Sequence, residues 1–227
     1  MSLFDGLCSR QDKKISIVLA SGNAHKREEF SDFFKSFGDV ELLSARDFSS
    51  CPGDVEENGS SYEENALAKA RAWADFTHMP SLADDSGIEV RRMDWKPGIF
   101  SARAVSGSDS CRIERLMDEM GRAPDRRARF AVCLVVAFPS FKPVRARDYF
   151  AVEARCWGTI ARAPSGEHGF GYDPVFIPDG FDKTFADLGP AIKSKISHRA
   201  IAMRGVAQIL PNMLKYFAAC DKFKRTL

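Results

Sequence analysis

The sequence predicts an α/β fold, and three observations carry that reading. Residues 15–20 form a short apolar, β-branched run, followed by Phe30, Phe33, Phe34 and Phe37 at the spacing of one helical face. Residues 129–138 and 144–157 read as two long strands, and the Pro-bounded loop 139–143 between them predicts an antiparallel pair. Between these halves, residues 81–90 set two adjacent carboxylates, Asp84 and Asp85, among apolar runs that read as strand. The chain has 227 residues and 44% hydrophobic content, enough for a sizeable core.

The strand at 15–20 leads into Ser21-Gly22-Asn23-Ala24-His25-Lys26 and then the Phe-rich helix, which Gly38 is placed to stop. A strand, a small-residue turn and a helix start present free N–H groups, so residues 21–26 read either as a phosphate cradle or as an ordinary βα turn. Residues 40–43 form a second short strand, and the loop that follows carries Glu56-Glu57-Asn58-Gly59. Ser61-Tyr62-Glu63-Glu64 is a capping-box pattern opening an Ala-rich helix to about Thr77, with Asn65, Lys69 and Trp73 on one face. Pro80 ends that helical region.

Asp84-Asp85-Ser86-Gly87 invites two readings. One is an acidic turn, with Ser86-Gly87 supplying the bend. The other is a pair of acids at a strand end, suited to a hard cation such as Mg2+ and to taking a proton from water. A helix is expected from about Ser110, since Ile113, Leu116, Met117 and Met120 form an apolar stripe closed by Gly121. In the second long strand Arg145, Arg147 and Tyr149 alternate with Ala146, Phe150 and Val152, so one face is wet or meets a partner.

Further on, glycines flank Phe170 in His168-Gly169-Phe170-Gly171-Tyr172-Asp173-Pro174, and the ring reads either as a base-stacking platform or as core. Lys193, Lys195, His198 and Arg199 gather at the start of a last helix, whose Val206, Ile209, Leu210, Met213, Leu214 and Phe217 point to the core. Cations are unfavourable at a helix N-terminus, so this placement calls for an opposing anion unless the charges are simply solvated.

The totals exclude several classes. The formal net charge of +2 offers no global argument for nucleic acid, and only Arg145, Arg147 and Arg155 hint at a basic stripe. The six cysteines form no C-x-x-C pair, which argues against a zinc cluster and for reduced thiols in a cytosol. Residues 1–14 read as an N-terminal extension without a secretory pattern, and the longest apolar run is too short for a membrane span. Residues 15–227 read as a single unit with no dividing linker.

Several motifs then fall in order: Ser-Gly-Asn-x-x-Lys from Ser21, Glu-Glu-x-Gly from Glu56, Glu-Asn-Ala-x-x-Lys-Ala from Glu64, Ala-Asp-Asp-Ser-Gly from Ala83, Pro-Gly-x-x-Ser-Ala-Arg from Pro97, Gly-Phe-Gly-Tyr-Asp-Pro from Gly169, and Ser-His-Arg from Ser197. Each is weak alone; the ordered set, from about Ile15 to Phe217, resembles the inosine triphosphate pyrophosphatase family. The resemblance implies an elongated mixed sheet flanked by helices, with an active-site cleft between two lobes of one catalytic domain. It also implies a cytoplasmic homodimer and Mg2+-dependent hydrolysis of ITP, dITP and XTP to the monophosphate and pyrophosphate. Other expectations are a different Mg2+-dependent nucleotide phosphohydrolase, or a non-catalytic nucleotide-binding module.

Position by position, the resemblance makes Asp85 the general base, and Glu56 and Asp85 the metal carboxylates with Glu57 and Asp84 beside them. Residues Ser21, Gly22, Asn23, Ala24, His25 and Lys26 become the phosphate loop, with Lys69 and Lys193 facing the phosphates. Ser86, Phe170, Gly171, Tyr172, Asp173, Lys193, His198 and Arg199 become the nucleotide pocket. The chain departs from the family at Ala191-Ile192, where acids are usual, and at Ala200, usually glycine. It departs again at His168, usually small, and at Ala104-Val105, where an aromatic is usual.

Overall fold

A computed structural model describes residues 15–35, 40–139 and 149–224, giving the backbone alone for Ile15, Met213, Leu214 and residues 216–224. In chain order the elements are β1 (Ile15–Leu19), α1 (Ala24–Lys35), β2 (Val40–Leu43), α2 (Tyr62–Thr77), β3 (Ser81–Val90), β4 (Lys96–Pro97), α3 (Asp109–Met120), β5 (Arg127–Ala137), β6 (Tyr149–Ile160), β7 (Phe176–Pro178), α4 (Phe185–Leu188), α5 (Pro190–Ile196) and α6 (His198–Lys224). The sheet runs β2-β1-β3-β5-β6-β7, with β4 beside β3. β1 pairs in parallel with β2 and β3, and the remaining pairs are antiparallel.

Local chemistry sets the helix ends. Ser61 caps α2 by accepting the Glu64 N–H at 3.2 Å, and Ser108 caps α3 by accepting that of Cys111 at 3.4 Å. Gly121, at φ 45°, ends α3. The stripe of α3 is core: Ile113, Leu116 and Met120 are buried. Expectations for residues 1–14, for Phe37 and Gly38, for the loop and strand start at 140–148, and for the Met213, Leu214 and Phe217 side chains fall outside the described residues. The short elements β4, β7, α4 and α5 have too few residues to show a period.

Among the described residues, three apolar cores flank the sheet. One gathers Leu19, Phe30, Leu82, Leu134 and Val206; a second gathers Val18, Ala66, Ala70, Ala83 and Val135 under α2. The third, further along the sheet, gathers Ile88, Ile113, Phe130, Phe176 and Phe185. Asp84 to Gly87 lie on β3 between the residues that belong to the first two cores and those that belong to the third.

Topology opens a notch there. β1 pairs with β3 only at Val18–Ser81 and Leu19–Leu82, then turns away into α1, while β3 runs on and meets β4 only at Glu89 and Val90. Crevices at the ends of parallel strands are where open α/β sheets bind ligands. The turn expected at Ser86-Gly87 is not formed, because β3 stays extended and paired with β5 throughout. Gly87 serves a close approach: a Cβ there would lie 2.1 Å from the Gly98 carbonyl oxygen and 2.5 Å from Ser101 Oγ. The two acids accordingly sit mid-strand and not at a strand end.

Candidate active site

Alternation along β3 sends Asp84 and Asp85 to opposite faces. Asp84, 1% exposed, accepts from Lys26 Nζ at 3.0 Å and from Arg199 Nη2 at 3.0 Å and Nε at 3.3 Å. Burial works to raise its carboxyl, but Lys26, Arg199 and Lys69 outweigh it and hold Asp84 well below the usual carboxylate range. Arg199 Nη1 also donates to Glu29. Glu29 lies 2.9 Å from Lys193 Nζ, which donates at 2.5 Å to Asp173. A chain of alternating charge therefore runs Lys26, Asp84, Arg199, Glu29, Lys193, Asp173. The anion that the cations at the start of α6 called for is present twice over. Glu29 is the partner the sequence reading missed: electrostatics required an acid there, and nothing local located it on α1.

Asp85 meets a different neighbourhood. Asn65 Nδ2 donates to it at 3.0 Å, and Lys69 Nζ stands 3.9 Å away. Lys69 is shared: it lies 2.6 Å from Glu57 and donates to the Asp84 carbonyl at 2.7 Å. Burial pushes the Asp85 carboxyl up, and Lys69 and Asn65 offset only part of this. Glu57 is held by Arg103 Nη1, which reaches its carbonyl at 2.8 Å and its carboxylate at 3.3 Å. Glu56 is exposed and accepts from Asn58 at 2.7 Å. Of the four acids expected at a metal, Glu57 and Asp85 come together around one ammonium, Asp84 lies on the opposite face of β3, and Glu56 is bonded to Asn58. Among the described residues no three acid, histidine or cysteine side chains form a ready metal site.

The loop at 21–26 is folded by its own side chains. Ser21 Oγ accepts the Asn23 N–H at 3.3 Å, and Asn23 Oδ1 accepts that of Lys26 at 3.1 Å. The first N–H groups of α1 have no intrahelical partner and border the notch. Gly22, Asn23, Ala24 and His25 are exposed.

A cavity of about 130 Å³ adjoins the notch. Ser86, residues 170–173, Lys193, His198 and Arg199, assigned by the resemblance to the nucleotide pocket, line it, together with Asn23 and Lys26 of the loop assigned to the phosphates. Ser21, Gly22, Ala24, His25 and Lys69 are not among its lining residues. Phe170 is half-buried and not core: it stacks on His25 with centroids 5.0 Å apart and covers Lys193 Nζ at 4.3 Å. Its N–H donates to Asp173 at 2.9 Å, and that of Gly171 donates to Asp109 at 2.6 Å. Tyr172 is buried, with its hydroxyl donating to the Ser101 carbonyl at 3.1 Å, so it braces the wall. His198 stacks on Phe130 at 4.7 Å. Burial, reinforced by Arg199 and Lys193, holds its imidazole neutral, and its buried Nδ1 has no hydrogen-bond partner among the described residues. Asp109 and Arg112 of α3 also line the cavity, and nothing in the local sequence distinguished them from an ordinary helix start.

Fold and cavity together define a class: an α/β protein whose sheet notch is lined by cations, helix-start amides and hydrogen-bond donors. The chain belongs to the Ham1 family, whose model matches residues 17–209. It is 44% identical over 191 residues to a dITP/XTP pyrophosphatase of Geobacillus kaustophilus, covering 82% of this chain and 90% of that one. It is 40% identical over 191 residues to the dITP/XTP pyrophosphatase of Oceanobacillus iheyensis, covering 82% and 93%. Among solved structures, the Staphylococcus aureus Ham1 protein matches with a TM-score of 0.74 at 36% identity, covering 87% of this chain and 99% of that one. A HAM1 protein from Coxiella burnetii matches with a TM-score of 0.76 at 33% identity and the same coverage.

Proposed function

We propose that the protein hydrolyses the non-standard purine nucleoside triphosphates ITP, dITP and XTP to the monophosphate and pyrophosphate, cleansing the nucleotide pool. The observation that carries this reading is the division between Asp84 and Asp85. One acid is saturated by the cations of the pocket. Its neighbour is left short of positive charge beside Glu57 and Lys69.

In this reading Lys26, the start of α1 and Lys69 hold the phosphates, whose charge needs donors fixed before reaction. The base enters the small cavity beside Phe170. Inosine and xanthine carry a 6-oxo acceptor where adenine carries a 6-amino donor. Arg199 has only N–H groups to offer, and neutral His198 has one, so a 6-oxo base is matched and adenine is not. Asp85 orients the attacking water and accepts its proton. The donor set suits a hard cation, since Glu57 and Asp85 are oxygen ligands drawn to a single positive charge, with Glu56 adjacent in the chain. Bound there, Mg2+ supplies phosphate neutralisation and a more acidic water.

We read residues 15–227 as one catalytic unit of two lobes, working as a cytoplasmic homodimer without nucleic acid. Among the described residues no helix is long and apolar enough to cross a membrane. The test is a panel of nucleoside triphosphates with Mg2+, with products separated by chromatography. ITP should yield IMP and pyrophosphate, and excess chelator should stop the reaction. Release of orthophosphate with IDP overturns the reading.

A further inference from the structure

A 6-oxo reader leaves one question open, because guanine also carries a 6-oxo group. Rejection of guanine has to act at position 2 of the purine, where guanine has an amino donor, xanthine an oxo acceptor, and hypoxanthine only hydrogen. The cavity that Arg199 lines holds a second guanidinium, that of Arg112. Arg199 is fixed from β3 and α1 by Asp84 and Glu29. Arg112 comes from α3 and is fixed by other groups. Its Nη1 donates to the Gly107 carbonyl at 3.0 Å and, weakly, to that of Ala102 at 3.5 Å, and its Nη2 donates to Asp109. The other oxygen of Asp109 holds the Gly171 N–H at 2.6 Å, so one carboxylate positions both this guanidinium and the residue after Phe170. Arg112 Nε–H has no acceptor among the described residues, and the side chain is only 19% exposed.

We propose that Arg112 is a specificity-determining residue that reads position 2 of the base, favouring xanthine, tolerating hypoxanthine and rejecting guanine. The inference rests on the proposed function. With Arg199 and His198 on the 6-oxo group, the second guanidinium of the same small cavity is left for the other substituted edge. Arg has five N–H donors and no acceptor. A 2-oxo group therefore completes its hydrogen bonding, whereas a 2-amino group sets donor against donor. Sites that leave a buried polar group unpaired with the wrong ligand discriminate strongly.

Arg112 also staples the turn at 102–107, and that role alone would affect every base alike. The informative readout is therefore the ratio of kcat/KM values within each variant, in which a general loss cancels. Arg112→Gln carries an amide that both donates and accepts. It should lower the XTP-to-ITP ratio by about tenfold and raise the GTP-to-ITP ratio by a similar factor. Arg112→Lys, which keeps a donor-only cation, should stay closer to the unsubstituted protein in its GTP-to-ITP ratio. Unchanged ratios in Arg112→Gln overturn the inference. A measurement without variants runs beside these: inhibition of ITP hydrolysis by the monophosphates should rank XMP, then IMP, then GMP. GMP inhibiting as strongly as XMP overturns the inference even if the variants fail to fold. Failure of the unsubstituted protein to hydrolyse ITP or XTP is a separate result, and strikes the proposed function itself.

Discussion

Asp84 and Asp85 are the same residue type, adjacent on one strand and both buried, yet their electrostatic surroundings are opposite. Asp84 faces Lys26 and Arg199 and is held strongly ionised. Asp85 faces one ammonium that it shares with Glu57, and burial leaves its proton affinity raised. Neighbouring charge, not burial, separates them. Asp84 belongs to the scaffold, since it sets Arg199 in the cavity wall. Asp85 is a charge that the fold carries at a cost, as acids kept for chemistry do.

Activity should break most sharply on the Asp85 side. Asp85→Asn keeps the shape and removes the carboxylate proposed as metal ligand and base, so ITP turnover should fall by at least about a hundredfold. Near-normal initial rates would place the chemistry elsewhere. On the other side, Asp84→Asn leaves buried cations short of a partner, and urea denaturation should show a loss of about 3–5 kcal/mol. A variant as stable as the parent would mean that Glu29 alone suffices for Arg199.

Glu29 extends the Asp84 side and gives it a pH signature. Burial raises the Glu29 carboxyl, but Arg199 and Lys193 outweigh this and hold it below its ordinary value of 4.5. Its contribution is full above that ordinary value and fades as pH falls below it. Glu29→Gln should therefore cost about 1–3 kcal/mol near neutral pH, with the gap to the parent closing in acid. A gap that stays constant or widens in acid would remove Glu29 from the charge chain. The smallest effect on stability belongs to Arg103→Ala, which should change it by less than about 1 kcal/mol, as for an exposed pair. It leaves Glu57 with Lys69 as its one cationic partner among the described residues, however, and on the proposed metal role the Mg2+ concentration for half activity should rise by about tenfold. An unchanged metal requirement would detach Glu57 from the metal.

Much of the frame was legible because its signals are local. The capped α2, the α3 stripe ended by Gly121, the β1–α1 unit and the antiparallel long strands all declare themselves by period and cap. The face that each acid takes is not local, because it depends on how β3 pairs with β1 and β5. Ser86-Gly87 read as a turn because a glycine carries one message locally and another when residues 98–101 close against it. Lys193 and Arg199 were visible as cations at a helix start, but their partners lay on α1, on β3 and in the glycine-flanked loop. Arg112 and Asp109 gave no signal until the fold brought α3 to the cavity.

The most direct test of the division between the two acids is the thermal melting of Asp85→Asn in metal-free buffer near neutral pH. Removing a desolvated, under-compensated carboxylate while keeping the amide contact to Asn65 should leave the midpoint equal to or above that of the unsubstituted protein. A drop of roughly 4 °C or more, about 1–2 kcal/mol for a chain of this size, would show that Asp85 supports the fold as Asp84 does and would contradict the division.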